Sequence, residues 1–350
     1  MKRFVKFFFL LMLFLLLVTS IGSFFGYQYY TEGINKKMDN KKVEFTIASG
    51  EGITQIAADL EKAKVLADPL LFNLYLKSHA LDKKIQAGSY LLPANVNILQ
   101  LAALLQKGNF YSRIVIKEGL RTEEIANVIN ISLSLDNPDK RFQSQEFIFL
   151  AKNPTLFNYP FLIPPPKQLE GFLFADTYEV KKSISAREML DLLLSNFNKK
   201  VFQPHINESF PSGFNFYQSM ILSSILEREA KTDSDKKIIA DVLFRRLNSG
   251  TPLGVDSTLQ YVLGFSVKES TWWRQTIYQV DLALNNPYNT RLNAGLPPTP
   301  ISNFSEATFQ DALSPSPNLF VYYISDNQGK MHYAVTSAEQ NANIAKYLRN

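Results

Sequence analysis

The chain contains no cysteine among its 350 residues. That excludes disulfides, a thiol nucleophile, a cysteine-ligated metal and lipid attachment through a thiol. Histidine is almost as scarce: His79, His205 and His332 are scattered, which argues against a His-rich metal site. Charge is missing from one long stretch. After Lys2, Arg3 and Lys6, no charged residue occurs from Phe7 to Tyr27. Phe7 to Val18 is apolar throughout, and the character continues in Ile21, Phe24, Phe25 and Tyr27. An apolar run of about 20 residues spans a bilayer as a helix. The basic residues before it place the N-terminus in the cytoplasm by the positive-inside rule. Lys36, Lys37, Lys41 and Lys42 weaken that bias, but a short tail followed by a long chain favours export of the rest. A cleaved signal peptide is the rival, and the missing Ala-x-Ala site disfavours it.

The expected organisation is therefore a tail at 1–6, an anchor at 7–27, a linker at 28–42 and two domains beyond. The net charge of +5 is diffuse and comes partly from the anchor's flanks. It makes no case for nucleic acid, and the flanks suit anionic lipid headgroups. Aromatics, at 13%, read first as core.

Residues 43–110 read as a small βααβ domain. Val43–Ala48 alternates as a strand, Ile53, Ile56, Ala57 and Leu60 recur at helical spacing, and Asp68-Pro69 starts a second helix. Leu70, Phe72, Leu74 and Leu76 suggest that this helix is largely buried. Gly88–Leu92 closes as a strand, and Asn97 caps a helix that stops at Gly108. Residues 111–350 read as a larger α+β domain. Ile114–Lys117 is a strand, Thr122 opens a helix with a capping-box pattern, and Asn137-Pro138 breaks it. Leu169 to Tyr178 reads as an aromatic strand carrying Glu170 and Asp176, which need partners if buried. Helices follow over about 186–201, through Glu229, and over 235–247. Asp256 reads as a helix cap, and a Leu319–Ser325, Met331–Val335 hairpin precedes a final helix.

One carboxylate stands out. At roughly 100° per residue, Ile221, Leu222, Ile225 and Leu226 make one apolar stripe, and Glu229 falls on it. Glu227 points to the opposite side, with Met220, Ser223 and Ser224. A carboxyl in apolar surroundings holds its proton toward neutral pH, as a general acid requires. The periodicity leaves open whether Glu229 is enclosed or lies where the stripe meets solvent. Glu227 is the rival acid.

Four blocks, in order, carry a family resemblance: Leu169–Tyr178, Ser224–Ala230, Asp256–Tyr261 and Tyr288–Ile301. They resemble the patterns EGFLFPDTY, SIxExE, DPTxxY and YNTY…GLPPGPI of the endolytic murein transglycosylases, the YceG-like family. The departures are Ala175 and Ser257 where that family usually has Pro, Thr299 for Gly, Phe304 for Pro, Arg245 for Asn and Gln340 for His.

The resemblance implies a single-span protein of the bacterial cytoplasmic membrane, with a LysM-like domain at 43–110 and a catalytic domain at 111–350 outside it. It implies Glu229 as the catalytic residue on a helix, with Glu170, Asp256, Thr258, Tyr288, Asn289 and Thr290 as substrate-lining candidates. It implies cleavage of the β-1,4 bond between N-acetylmuramic acid and N-acetylglucosamine inside glycan strands, on nascent wall, with 1,6-anhydro ends. No metal or cofactor is expected. Expected partners are peptidoglycan strands, the membrane and cell-wall synthases of the penicillin-binding type. Two alternatives remain: a non-catalytic anchored glycan-binding scaffold, and a hydrolase pairing Glu229 with a second carboxylate such as Asp256.

Overall fold

The computed structural model describes residues 2–38, 41–108, 111–134 and 141–348. The expected helix break at Asn137-Pro138 lies outside the described residues. The chain divides into two compact units, Met1–Ser112 with Val180–Lys182, and Arg113–Glu179 with Ser183–Asn350. Both mix helix with two-stranded antiparallel sheet, so the chain is α+β as expected.

The first unit begins with helix α1, Lys2–Asn35. From Phe7 onward α1 is long and apolar enough to cross a membrane, and its apolar window is wholly exposed. It does not stop at Tyr27. Its last turns are docked: Tyr30 and Ile34 pack on the core of the unit. The Tyr29 hydroxyl donates to the Asp68 carboxylate. Gly33 lies so close to Leu71 that a Cβ there would meet Leu71 Cδ2 at 2.2 Å. Residues 28–35, expected as linker, are thus helix.

Strand β1 (Val43–Ile47) pairs antiparallel with β2 (Gly88–Leu92), Val43 opposite Leu92 and Ile47 opposite Gly88. The pleat sends Phe45, Ile47, Tyr90 and Leu92 inward. Between the strands run α2 (Ile53–Lys62) and α3 (Pro69–Ser78), and α4 (Ile98–Lys107) follows. Their ends were legible. Asp68 accepts from Leu71 N at 2.9 Å with Pro69 behind it, and Asn97 and Gln100 form a reciprocal capping box. The burial of α3 needs correction. Leu71, Phe72 and Leu76 are buried, but Leu70 is 83% and Leu74 55% exposed. Leucines spaced by two cannot share one side of a helix of 3.6 residues per turn.

Strand β3 (Tyr111–Val115) runs from the first unit's residues into the second's, where α5 (Thr122–Ser134) and α6 (Ser144–Ala151) follow. Residues 169–176 are not a strand. The backbone turns there, with Gly171 at φ +87°, where a Cβ would meet Pro300 at 2.6 Å. Only Thr177–Lys181 extends, as β4, which pairs with β3. Helix α7 (Ala186–Phe197) runs into a π-helical turn over Asn198–Phe202 and a short α8 (Gln203–His205). Then come α9 (Phe216–Glu229), α10 (Asp233–Asn248), α11 (Asp256–Leu263), α12 (Gln279–Leu282) and α13 (Glu306–Leu313). The hairpin of β5 (Tyr322–Ser325) and β6 (Met331–Ala334), and α14 (Ser337–Tyr347), end the chain.

Helix α9 is the central element. It packs against α10, α11 and α13, and every residue from Ser219 to Leu226 is buried. A helix enclosed on all sides has no solvent face, so the expected contrast between an apolar and a polar side does not hold there. Its serines bond within the fold instead: Ser224 Oγ accepts from Ile301 N at 3.0 Å.

Candidate active site

Glu229 is the last residue of α9, and Ala230 beyond it is extended (φ −141°, ψ 152°). The two readings left open by periodicity are both realised: the residue ends the helix and keeps partial exposure, yet its carboxyl is held inside. Ser257 Oγ donates to Glu229 Oε1 at 2.7 Å. Tyr323 OH donates to Oε2 at 3.1 Å. Burial pushes the Glu229 carboxyl above the ordinary range, and the nearby Asp256 charge pushes it further; the Ser257 and Tyr323 donors pull it part of the way back. Tyr323 is itself held well above the usual phenol range, by burial first and then by the Glu229 charge, so it remains a donor. A carboxyl with a raised pKa, two fixed hydroxyls and some access is suited to both giving and taking a proton.

Glu227 has a different setting. Its Oε2 accepts from Ser305 N at 3.0 Å, Ser305 Oγ at 3.3 Å and Thr308 Oγ1, and its Oε1 accepts from Lys236 Nζ at 3.1 Å. It ties α9 to α10 and to Ser305, the N-cap of α13. Four donors, one of them an ammonium, thus bind it into the fold. Arg228, between the two glutamates, places its guanidinium 3.9 Å from the centroid of the Trp273 ring and donates to Gly119 O at 3.2 Å.

The remaining expected residues fall into two groups. Asp256 is the first residue of α11, after its N-cap Val255, and its side chain makes no cap bond. It is exposed and accepts from Arg291 Nε at 3.1 Å. Thr258 and Thr290 are buried and meet each other at 2.8 Å. Thr258 Oγ1 also bonds Val255 O at 3.0 Å, and Val255 N donates to Thr290 Oγ1 at 3.3 Å. This pair fixes the start of α11 and therefore the place of Ser257. Asn289 is buried and donates to Leu282 O at 3.1 Å and Leu284 O at 2.9 Å, which shapes its own loop.

Glu170 and Tyr288 belong to a second cluster. Glu170, 1% exposed, accepts from Thr122 N at 3.1 Å, from Asn303 Nδ2 at 3.1 Å and from Tyr261 OH at 3.3 Å. It supplies the N-terminal cap of α5 from 48 residues away, where the sequence suggested Thr122 as the capping residue. Burial, reinforced by the Glu123 charge, pushes its carboxyl up to about 8. The Tyr288 ring packs on Tyr261, centroids 5.3 Å apart, and its hydroxyl bonds Thr299 Oγ1 at 2.8 Å. No hydrogen bond joins Glu170 to Glu229. Sequence reasoning missed Ser257, Tyr323 and Arg291. Ser257 carried a signal, as a departure inside a motif block; Tyr323, 94 residues from Glu229, carried none. Among the described residues no group of three or more His, Asp and Glu side chains is placed to hold a metal.

The second unit is thus an α+β unit in which one carboxyl, at the end of a buried helix, is gripped by two hydroxyls. Similarity to known proteins gives the chain a family. The chain belongs to the YceG-like family, whose profile matches residues 45–346. It is 26% identical over 367 aligned positions to an endolytic murein transglycosylase of Streptococcus pneumoniae strain D39, covering 99% of this chain and 66% of the relative. It thus spans slightly less than two thirds of that relative's length. It is also 26% identical to the endolytic murein transglycosylase of Bacillus subtilis, over 89% of this chain and 87% of that one. A crystal structure of a YceG-like protein from Listeria monocytogenes matches with a TM-score of 0.55 at 25% identity, covering 86% of this chain and 99% of the other.

Proposed function

We propose that this protein is a membrane-anchored endolytic lytic transglycosylase of peptidoglycan, with Glu229 as its catalytic acid and base. The observation that carries the reading is the Glu229 carboxyl, raised in pKa and clamped by Ser257 and Tyr323, in a chain whose relatives are named endolytic murein transglycosylases.

In this reading, protonated Glu229 donates to the glycosidic oxygen of the β-1,4 bond from N-acetylmuramic acid to N-acetylglucosamine. The C–O bond breaks, and N-acetylglucosamine leaves with the proton. The Glu229 carboxylate then takes the proton from the C6 hydroxyl of the muramic acid sugar. That oxygen closes a bond to C1, giving a 1,6-anhydro end and restoring the acid. The substrate supplies its own nucleophile, so one carboxyl suffices where a hydrolase needs two. The Arg291 partner of Asp256 supports this over the two-carboxylate alternative, because the guanidinium already engages that carboxylate. The substrate is a glycan strand of peptidoglycan, nascent strands included. The second unit lies outside the cytoplasmic membrane, beside the synthases that make those strands.

The test is digestion of purified glycan strands by the unmodified protein and by Glu229→Gln, with products read by mass spectrometry. Anhydro ends, one water lighter than reducing ends, are expected from the former. Glu229→Gln is expected to lose about 10²–10⁴-fold in rate with its circular dichroism unchanged. Reducing ends would point to the hydrolase, and no cleavage by either protein to the scaffold. Full activity in Glu229→Gln would remove Glu229 from the mechanism.

A further inference from the structure

Two hydrogen bonds hold the Glu229 carboxyl, and they are not equivalent. Oε1 receives Ser257 Oγ at 2.7 Å, a short bond of the charge-assisted kind. Oε2 receives Tyr323 OH at 3.1 Å. Ser257 is 3% exposed, in the first turn of α11, where main-chain N–H groups lack helical partners. Its own N–H also favours the charged carboxyl. One residue therefore favours the charged carboxyl through both its hydroxyl and its main chain, with the hydroxyl making the hydrogen bond. It is held there by Thr258 and Thr290, which close on Val255 just before it.

We propose that Ser257 is a positioning residue for the Glu229 chemistry, anchoring Oε1 at 2.7 Å and so leaving Oε2 as the oxygen that exchanges protons with substrate. The proposal rests on the reading of Glu229 as acid and base. A proton-transferring carboxyl must aim one oxygen at its target, and a carboxyl can be aimed by fixing the other. The Ser257 donors also favour the carboxylate, offsetting part of the burial and of the Asp256 repulsion that favour the acid. Too high a pKa makes a poor acid and too low a pKa leaves it unprotonated, so a donor that moderates a buried carboxyl tunes both half-reactions. The other charged or titratable groups around Glu229 are Asp256 with its partner Arg291, Tyr323 from β5, Arg228 on α9 itself, and Arg246 of α10, which acts on Tyr323. None of them donates to Oε1. Proline, the residue that the third-block resemblance puts at this position, offers neither hydroxyl nor N–H.

The test uses the full-length protein in detergent, with initial rates of glycan-strand cleavage recorded across pH for the unmodified chain, Ser257→Ala and Ser257→Pro. Glu229 must be protonated to start the reaction, so activity falls as pH rises through its pKa. Removing donors to the carboxylate raises that pKa. The alkaline limb is therefore expected to move up by about one pH unit in Ser257→Ala and further in Ser257→Pro, with kcat lowered and KM little changed. Ser257→Thr, which keeps the hydroxyl and the N–H, is expected to keep the original limb. It serves as the readout if the smaller substitutions unfold the chain, and a displaced limb in folded Ser257→Thr overturns the proposal. So do superimposable profiles in all variants, or an effect confined to KM. Failure of the underlying reading looks different, because Glu229→Gln would then cleave as well as the unmodified chain.

Discussion

Replacing Glu227 by Gln removes one negative charge from a buried network and changes little else in shape. In the native fold the Lys236 ammonium sits 3.1 Å from Glu227 Oε1, with side-chain exposures of 6% for the lysine and 11% for the glutamate. Its other bond is to Thr308 Oγ1, at 2.6 Å. Gln can still accept from Ser305 N, so the cost is mainly that of a buried ammonium without its counter-charge. Breaking such a pair typically costs about 3–5 kcal/mol. The retained Thr308 bond argues for the lower end, about 3 kcal/mol. For a unit of this size 1 kcal/mol moves the midpoint by about 2–4 °C, so Tm should fall by about 6–12 °C. The assay is thermal unfolding of the purified full-length chain by circular dichroism, beside strand cleavage well below the new midpoint. Substantial cleavage should persist there. Adding Lys236→Met, which removes the stranded charge, should recover part of the loss, as expected for directly coupled partners. An unchanged Tm would refute the network reasoning. Lost cleavage in a folded Glu227→Gln protein would refute the division of labour between Glu227 and Glu229.

Glu170 should make stability fall with rising pH. Its carboxyl titrates at about 8 in the fold, against the ordinary glutamate range in the unfolded chain. Between those values the folded state holds the extra proton, so stability is greatest at the acid end and declines up to about pH 8. Glu170→Gln, which keeps an acceptor for Thr122 N and Asn303, should show a shallower decline in urea midpoints across that range; an equal slope would contradict the buried-acid description. On topology, a C-terminal reporter that works only in the cytoplasm should stay silent, and the mature chain should keep residues 7–27. An active reporter, or a mature N-terminus near about residue 25, would overturn the outward orientation or the uncleaved anchor respectively.

What the sequence made legible was mostly local. Asp68-Pro69, Asn97 with Gln100, and Gly108 mark helix ends because caps act within one turn. Alternation placed β1 because the pleat has a period of two, and a local turn signal placed the β5–β6 hairpin. Failures occurred where partners are remote. Residues 169–176 look like a strand by composition, but Glu170 is drawn into capping α5 and Gly171 lies against Pro300. Helix α9 resisted a two-faced reading because α10, α11 and α13 enclose it. Glu229 was marked by helical phase and by a motif block. The groups that grip it were hidden, since Ser257 and Tyr323 reach it across 28 and 94 residues. Arg291, which pairs with Asp256, was equally invisible until the loop after α12 was folded over α11.

The continuity of α1 makes its apolar helix a stilt rather than a tether. From Tyr27 to Asn35 the helix rises about 12 Å, and the first unit grips it through Tyr29, Tyr30, Gly33 and Ile34 along that length. A flexible leash of the same number of residues would let a domain roam a hemisphere above its anchor. With α1 seated in a bilayer, the first unit instead rides at a set altitude, a few helical turns above the lipid, and its tilt is that of the helix. Its motion is then two-dimensional: lateral diffusion and spinning about α1, within a thin layer parallel to the membrane.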